Sequence, residues 1–305
     1  MKKKLLLIGG TGFVGSNITS LFFNEYEIKS SGSEIDIRDF DKILDFIASE
    51  APDFVINLAS ITTLSESYQN PNLTYDINFI GNLNVLRALE KSNFNGRMLY
   101  ISSGEVYGSP PEHELPLSED RILKPLSPYA VSKIASEALC YQWSQIGKFD
   151  VIIARPFNHF GPNQSDRFAV ANFAKQIAKI NLGIQKPEIV VGELNMTRDF
   201  TDVRDIAIAY ILLLENGING EIYNVCSGSE TSIAQILNIL LEKAKYPVIV
   251  KKDMDLIRKH EKMRSCGNFN KLYNLIGWKP KKLLEESISD TLNYWEAKIA
   301  LEKKD

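Results

Sequence analysis

Seven residues near the start of the chain, Gly9-Gly10-Thr11-Gly12-Phe13-Val14-Gly15, limit the fold more than any other feature. They follow a short apolar run at residues 5–8 and precede a helix-patterned stretch at 14–26. Glycines at this spacing permit a tight turn from strand to helix, close approach of a pyrophosphate, and packing of the helix on the sheet. The context therefore assigns Gly9, Thr11, Gly12, Phe13, Val14 and Gly15 to a dinucleotide site. The same rhythm continues. Strands are expected at 27–31, 35–37, 54–59, 97–103 and 150–155, with helices at 40–50, 71–93 and 127–147. The run FVINLA at 54–59 is apolar almost throughout, as a strand covered on both faces must be. Strands alternating with helices predict an α/β fold, a doubly wound parallel sheet of Rossmann type.

Past residue 156 the alternation loosens. Residues 157–166 are rich in Gly, Pro and Asn, and helices are expected at 167–181, 203–215, 232–245, 271–276 and 284–301. Strand-like pieces fall at 188–191, 221–225 and 247–251. This pattern predicts a dinucleotide-binding domain over 1–160, rejoined by a strand and helix from 190–225, and a smaller mixed α/β substrate domain over 161–305.

Composition serves mainly to exclude. With 35 Lys and Arg against 38 Asp and Glu, the 305-residue chain has a formal net charge of −3, without the basic footprint of a nucleic-acid binder. Nothing in it reaches the roughly 18 uncharged residues of a membrane span. Lys2-Lys3-Lys4 and the apolar residues after them resemble a secretory leader, but the run stops at Gly9, short of the roughly 7–15 residues required. Cys140, Cys226 and Cys266 have no pairing pattern, which suits a reducing, cytoplasmic setting. His113, His159 and His260 share no ligand spacing, so no metal is expected.

Tyr129-Ala130-Val131-Ser132-Lys133 puts a tyrosine and a lysine four apart on an expected helix, hence on one face. A neighbouring ammonium favours the phenolate, and such a tyrosine can exchange a proton with a sugar oxygen. Ahead of it, Ser102-Ser103-Gly104-Glu105-Val106-Tyr107-Gly108 follows an expected strand.

The GxxGxxG loop, the serine ahead of a run ending in Tyr-Gly, and the YxxxK pair together resemble the extended short-chain dehydrogenase/reductase family, in its nucleotide-sugar-modifying branch. The resemblance implies that Ser103, Tyr129 and Lys133 form the catalytic set, and that Lys133 also holds the nicotinamide ribose. It implies cofactor contacts from Ser31, from Asp36 and Ile37 to the adenine, from Leu58, Ala59 and Ser60 at a strand end, and from Pro156. Lys29-Ser30-Ser31-Gly32-Ser33 contains no carboxylate before Glu34, which favours NADP(H) over NAD(H), the alternative.

Glu105 matches the glutamate that abstracts a C5 proton in sugar-nucleotide 4,6-dehydratases. Here the run reads Ser-Gly-Glu and lacks the acid that protonates the departing hydroxyl, so a buried or capping role stands beside the catalytic one. On the substrate side the resemblance implies contacts from Ser103, Glu105, Asn158, Arg198, Arg258 and Glu261, with Asp202 or Asp205 capping the next helix. FNHFGPNQ, FAKQI, TRDFTDVRDI, YNVCSG and IGWKP are most similar to the GDP-sugar members, above all those that reduce a 4-keto-6-deoxy sugar. The implied activity is NAD(P)H-dependent reduction of the C4 keto group. A 4-epimerase or a 4,6-dehydratase with tightly bound NAD is the alternative. A catalytically silent dinucleotide-binding regulator has no need of the Ser-Tyr-Lys set. The family also implies a homodimer, in which helices 71–93 and 127–147 pair into a four-helix bundle.

Overall fold

Along the first strand, β1 (Lys3–Ile8), alternate side chains enter different cores: Leu5 and Leu7 pack on one face, Leu6 and Ile8 on the other. The computed structural model describes residues 2–256 and 263–302. After β1 come α1 (Phe13–Phe22), β2 (Tyr26–Ser30), α2 (Phe40–Glu50), β3 (Phe54–Asn57), α3 (Leu64–Gln69) and α4 (Pro71–Tyr75). A π-helical turn (Asp76–Gly81) leads into α5 (Asn82–Lys91), then β4 (Arg97–Ile101), α6 (Pro128–Ile146), β5 (Asp150–Pro156) and β6 (Asn158–Phe160). The remainder runs α7 (Ala169–Asn181), β7 (Glu188–Val191), β8 (Thr197–Asp202), α8 (Val203–Asn216), β9 (Ile222–Val225) and β10 (Glu230–Ser232). It closes with α9 (Ile233–Glu242), β11 (Ile249–Lys252), α10 (Asn270–Ile276) and α11 (Leu284–Glu302).

Six strands form an all-parallel sheet in the order β2-β1-β3-β4-β5-β9. Ile56, Leu99 and Ile152 join Leu5 and Leu7 against α8, where Ile206, Tyr210 and Leu213 are buried. Val55, Met98 and Val151 join Leu6 and Ile8 against Ile43 and Ile47 of α2 and Val85 and Leu89 of α5. Helices therefore cover both faces of a Rossmann-like sheet. The chain reverses direction across the sheet between β1 and β3, and ligands of such sheets bind at that crevice, outside the strands' carboxyl ends. A second core joins α7, α9 and α11 through Ile177, Leu240 and Trp295. It lies beside two small sheets, β10-β8-β6 and β11-β7.

Two local expectations are corrected. The segment 35–37 is no strand: Ile35 N donates to Gly32 O at 3.3 Å and Asp39 N to Asp36 O at 3.0 Å, which makes two successive turns. Its β-branched residues serve burial instead, since Ile37 fills the space where a Cβ on Gly81 would come within 2.5 Å of it. The stretch 71–93 is helical over Pro71–Lys91 as expected, with a π-helical turn set into it between α4 and α5. The first helix stops at Phe22, and Tyr26 already belongs to β2. The short strands β6, β8 and β10 carry too many polar residues to show an apolar pattern.

Candidate active site

The glycine turn closes the carboxyl end of β1. Gly9 has φ +73°, and a Cβ there would lie 2.7 Å from Ala59 N, so both conformation and space call for glycine. At Gly15 a Cβ would come within 2.2 Å of Gly10 O, which seats α1 directly on the turn. Gly12 is the N-cap of α1, with no side-chain cap and no acidic residue in the first turn. The first N–H groups of that helix are therefore left to an anion, donor chemistry that fits a pyrophosphate. Leu58, Ala59 and Ser60 lie beside the turn at the end of β3, where Leu58 N donates to Ile8 O at 2.8 Å.

Ser31 holds this turn together. Its hydroxyl accepts from Gly9 N at 3.2 Å and its carbonyl accepts from Thr11 N at 3.3 Å. Glu34 reaches further into the site than its place in the sequence suggests, since its carboxylate accepts from Gly32 N at 2.5 Å. The Asp36 carboxylate is taken by Arg38 at 2.6 Å, and Ile37 is buried in the core.

Ser103, Tyr129 and Lys133 come together at the end of β4, buried to 8%, 7% and 4% exposure. Ser103 caps the 3-10 turn Gly104–Tyr107, its hydroxyl accepting from Glu105 N at 3.1 Å, and the same hydroxyl faces the Tyr129 phenol. Ser127 starts α6 by accepting from Ala130 N at 3.1 Å, with Pro128 in the first turn, and this places Tyr129 at the helix start. One turn later Lys133 Nζ donates to Ile101 O at 2.8 Å and lies 5.2 Å from the centroid of the Tyr100 ring.

The electrostatics differ from expectation. Burial pushes the Tyr129 phenol up to about 12; the Ser103 hydroxyl opposes that shift and the Glu105 carboxylate adds to it. Lys133 lies 5.8 Å from the centroid of the Tyr129 ring, and burial brings the lysine itself down to about 8. Burial therefore outweighs any help the lysine gives to the phenolate.

Beyond the set, the Phe157 ring lies 3.1 Å from where a Cβ on Gly104 would stand, and the chain passes through buried Pro156 to exposed Asn158. Asn158 on β6 is in register with Phe200 on β8, two residues past Arg198. Arg198 is buried at 7% exposure and donates to Thr197 O at 2.8 Å. Asp202 caps α8 by accepting from Arg204 N at 2.7 Å, whereas Asp205 accepts from Lys281 N and Lys282 N at 2.9 and 2.8 Å and pins the loop after α10. Arg258 and Glu261 lie outside the described residues. Among the described residues no cluster of His, Cys, Asp and Glu could hold a metal, and no helix is long and apolar enough to cross a membrane. All three cysteines are buried and free.

Two site-building residues escape sequence reasoning. Asn78, in the π-helical turn, accepts from Ile61 N at 2.8 Å and donates to Ile61 O at 3.1 Å and to the Ser132 hydroxyl at 3.0 Å. Polar Asn78 and Asn82, one turn apart on the buried side of a helical stretch, are the available signal. Asp199 has no exposed surface and accepts from Ser227 N at 2.6 Å, Gly228 N at 2.9 Å and Gly267 N at 3.1 Å. It thereby binds the strand of Arg198 to the turn that follows β9.

A model of the GDP-mannose 4,6-dehydratase family matches residues 29–291. The chain is similar to the GDP-6-deoxy-D-mannose reductase of Pseudomonas aeruginosa, 38% identical over 302 residues, 98% of this chain and 99% of the relative. It superimposes on the solved structure of RMD from Pseudomonas aeruginosa complexed with NADPH with a TM-score of 0.91, at 38% identity, covering 97% of this chain and 100% of the other. The UDP-glucose 4-epimerase of Thermus thermophilus, solved with NAD, gives a TM-score of 0.86 at 26% identity, covering 96% and 98%.

Proposed function

The chain belongs to the GDP-mannose 4,6-dehydratase family, within the extended short-chain dehydrogenases/reductases, and on that premise we propose that it reduces the C4 keto group of a GDP-linked 4-keto-6-deoxy sugar, giving a GDP-D-rhamnose-type product. NADPH is the cofactor, as in the RMD structure. When bound, the nicotinamide supplies the hydride. The chain's own residues do the rest. Tyr129 gives its phenolic proton to O4, Ser103 hydrogen-bonds that oxygen, and Lys133 holds the ribose and lends positive charge near the developing alkoxide. Gly9, Thr11, Gly12, Phe13, Val14 and Gly15 hold the pyrophosphate, with Ser31 bracing the turn. Asn158 and Arg198 bind the substrate diphosphate.

The observation that carries this reading is the buried set of Ser103, Tyr129 and Lys133 at the carboxyl end of β4, the same end of the parallel sheet as the glycine turn. Nucleotide binding then belongs to 1–160 with the return from 190–225, and substrate binding mainly to 161–305. A cytoplasmic setting goes with the three free, buried thiols. A homodimer through α6 and the segment from α4 to α5 is supported by Val131 and Ile80, both exposed on those elements.

The test is cofactor consumption by purified protein with GDP-4-keto-6-deoxymannose. Stoichiometric oxidation of NADPH, faster than of NADH, is expected. The second reading, a 4-epimerase or 4,6-dehydratase, draws on Glu105, whose charge bears on Tyr129. It predicts no net consumption, nicotinamide retained on the protein, and, for the dehydratase, loss of turnover in Glu105→Gln, a variant that leaves a reductase largely active.

A further inference from the structure

Charges buried beneath the reacting groups join the strand end that carries Ser103 to the helix that carries Tyr129 and Lys133. Glu137 lies one turn past Lys133 on α6, and its carboxylate accepts from Arg155 Nε at 2.9 Å and Nη2 at 2.7 Å. Ser102, next to Ser103, donates its hydroxyl to the same carboxylate. Arg155, on β5, donates through Nη1 to the Tyr107 hydroxyl at 3.0 Å and to Glu119 O at 3.2 Å. Tyr107 in turn donates to Asn224 Oδ1 at 2.7 Å, and Asn224 Nδ2 donates to Leu117 O at 2.9 Å. Ser102 and Tyr107 bracket Ser103 and its 3-10 turn, and both are held from one ion pair. Glu137 and Arg155 are 5% and 2% exposed.

A buried ion pair is a poor way to fill a core, since desolvating two charges is costly and apolar replacements of similar volume are often as stable or more so. Its reach to both catalytic segments gives the pair a different use. We infer that Glu137 and Arg155 are positioning residues for Ser103, Tyr129 and Lys133: they fix the strand end against the helix and set a carboxylate one turn from the buried ammonium. The inference rests on the reading of those three residues as the reacting set. Facing Lys133 are Tyr129, Glu137 and Cys140 from α6 and Tyr100 from β4, with Arg155 reaching it only through Glu137 and Glu105 facing Tyr129. Burial pulls the Lys133 ammonium down while Glu137 pulls it up, so losing Glu137 moves it further down.

The test is the double variant Glu137→Leu with Arg155→Met, which leaves neither charge unpaired, alongside Ser102→Ala, which cuts only the hydroxyl link. The double variant is expected to melt close to wild type and to bind NADPH as before. Its kcat should fall by about 10- to 100-fold, the scale of a small misplacement of reacting groups, and the alkaline limb of its pH profile should move to lower pH. Ser102→Ala should lower kcat by a smaller factor with that limb unmoved. A double variant with wild-type kcat and pH profile overturns the inference. Should it fail to fold, wild-type kcat in Ser102→Ala does the same. Tyr129→Phe separates the two levels: if it still turns over at the wild-type rate the reading of the reacting set fails, and if it is inactive while the double variant is unimpaired only the positioning role fails.

Discussion

At Tyr129, burial and the Glu105 carboxylate push the phenol up while the Ser103 hydroxyl opposes them. Lys133 is shifted the other way. Held down to about 8 by burial, its ammonium is present below that pH and lost above it. With saturating NADPH, kcat is therefore expected to fall by about tenfold per pH unit above that point, the slope of one required proton. A rate that stays level through that range removes Lys133's charge from the account. That Ser103, Tyr129 and Lys133 lie together is legible in the sequence, because YxxxK needs only helical geometry and Ser103 follows a strand at family spacing. The direction of the tyrosine's shift is not legible. It depends on how much of the fold closes over the ring, which no local spacing encodes. Asp199 was hidden for a related reason: in TRDFTDVRD it is one acid among three, and only burial under Ser227, Gly228 and Gly267 sets it apart.

At the scale of elements, the π-helical turn between α4 and α5 matters most. It directs Asn78 at the Ile61 backbone and at Ser132, and the Asn78 carbonyl accepts from the Ser136 hydroxyl at 2.8 Å. The turn thus braces α6 between Tyr129 and Glu137. Asn78→Ala leaves the buried Ile61 N–H and C=O without those partners, and is expected to cost about 1–3 kcal/mol in urea unfolding. Unchanged stability would show that the bridge is replaceable. The π turn inside the 71–93 helix is not legible because apolar periodicity continues through it, while the one-residue widening leaves no mark in composition. The apolar strands β1, β3, β4 and β5 were found where expected, since burial on both faces forces continuous apolar runs. Residues 35–37 imitate such a run, but their turns and the packing of Ile37 over Gly81 serve the core without a ladder.

For the whole molecule, alternation of strand and helix was enough to indicate a doubly wound sheet, and the return of β9 to the edge beside β5 completes it. The junction with the second core was less legible, because short polar strands such as β8 are defined by partners distant in sequence. Association through α6 predicts that Ala138→Arg, at an exposed position in line with Val131, shifts sedimentation from dimer to monomer while NADPH affinity stays unchanged. Sedimentation unaltered by the charge moves the interface elsewhere. The most direct test of the reductase account is single-turnover oxidation of bound NADPH by GDP-4-keto-6-deoxymannose, in wild type and in Tyr129→Phe. The account predicts one NADPH oxidised per site in the wild type, and NADPH binding intact but oxidation slowed by about 100- to 10,000-fold in the variant. Oxidation at equal rates in both would contradict it.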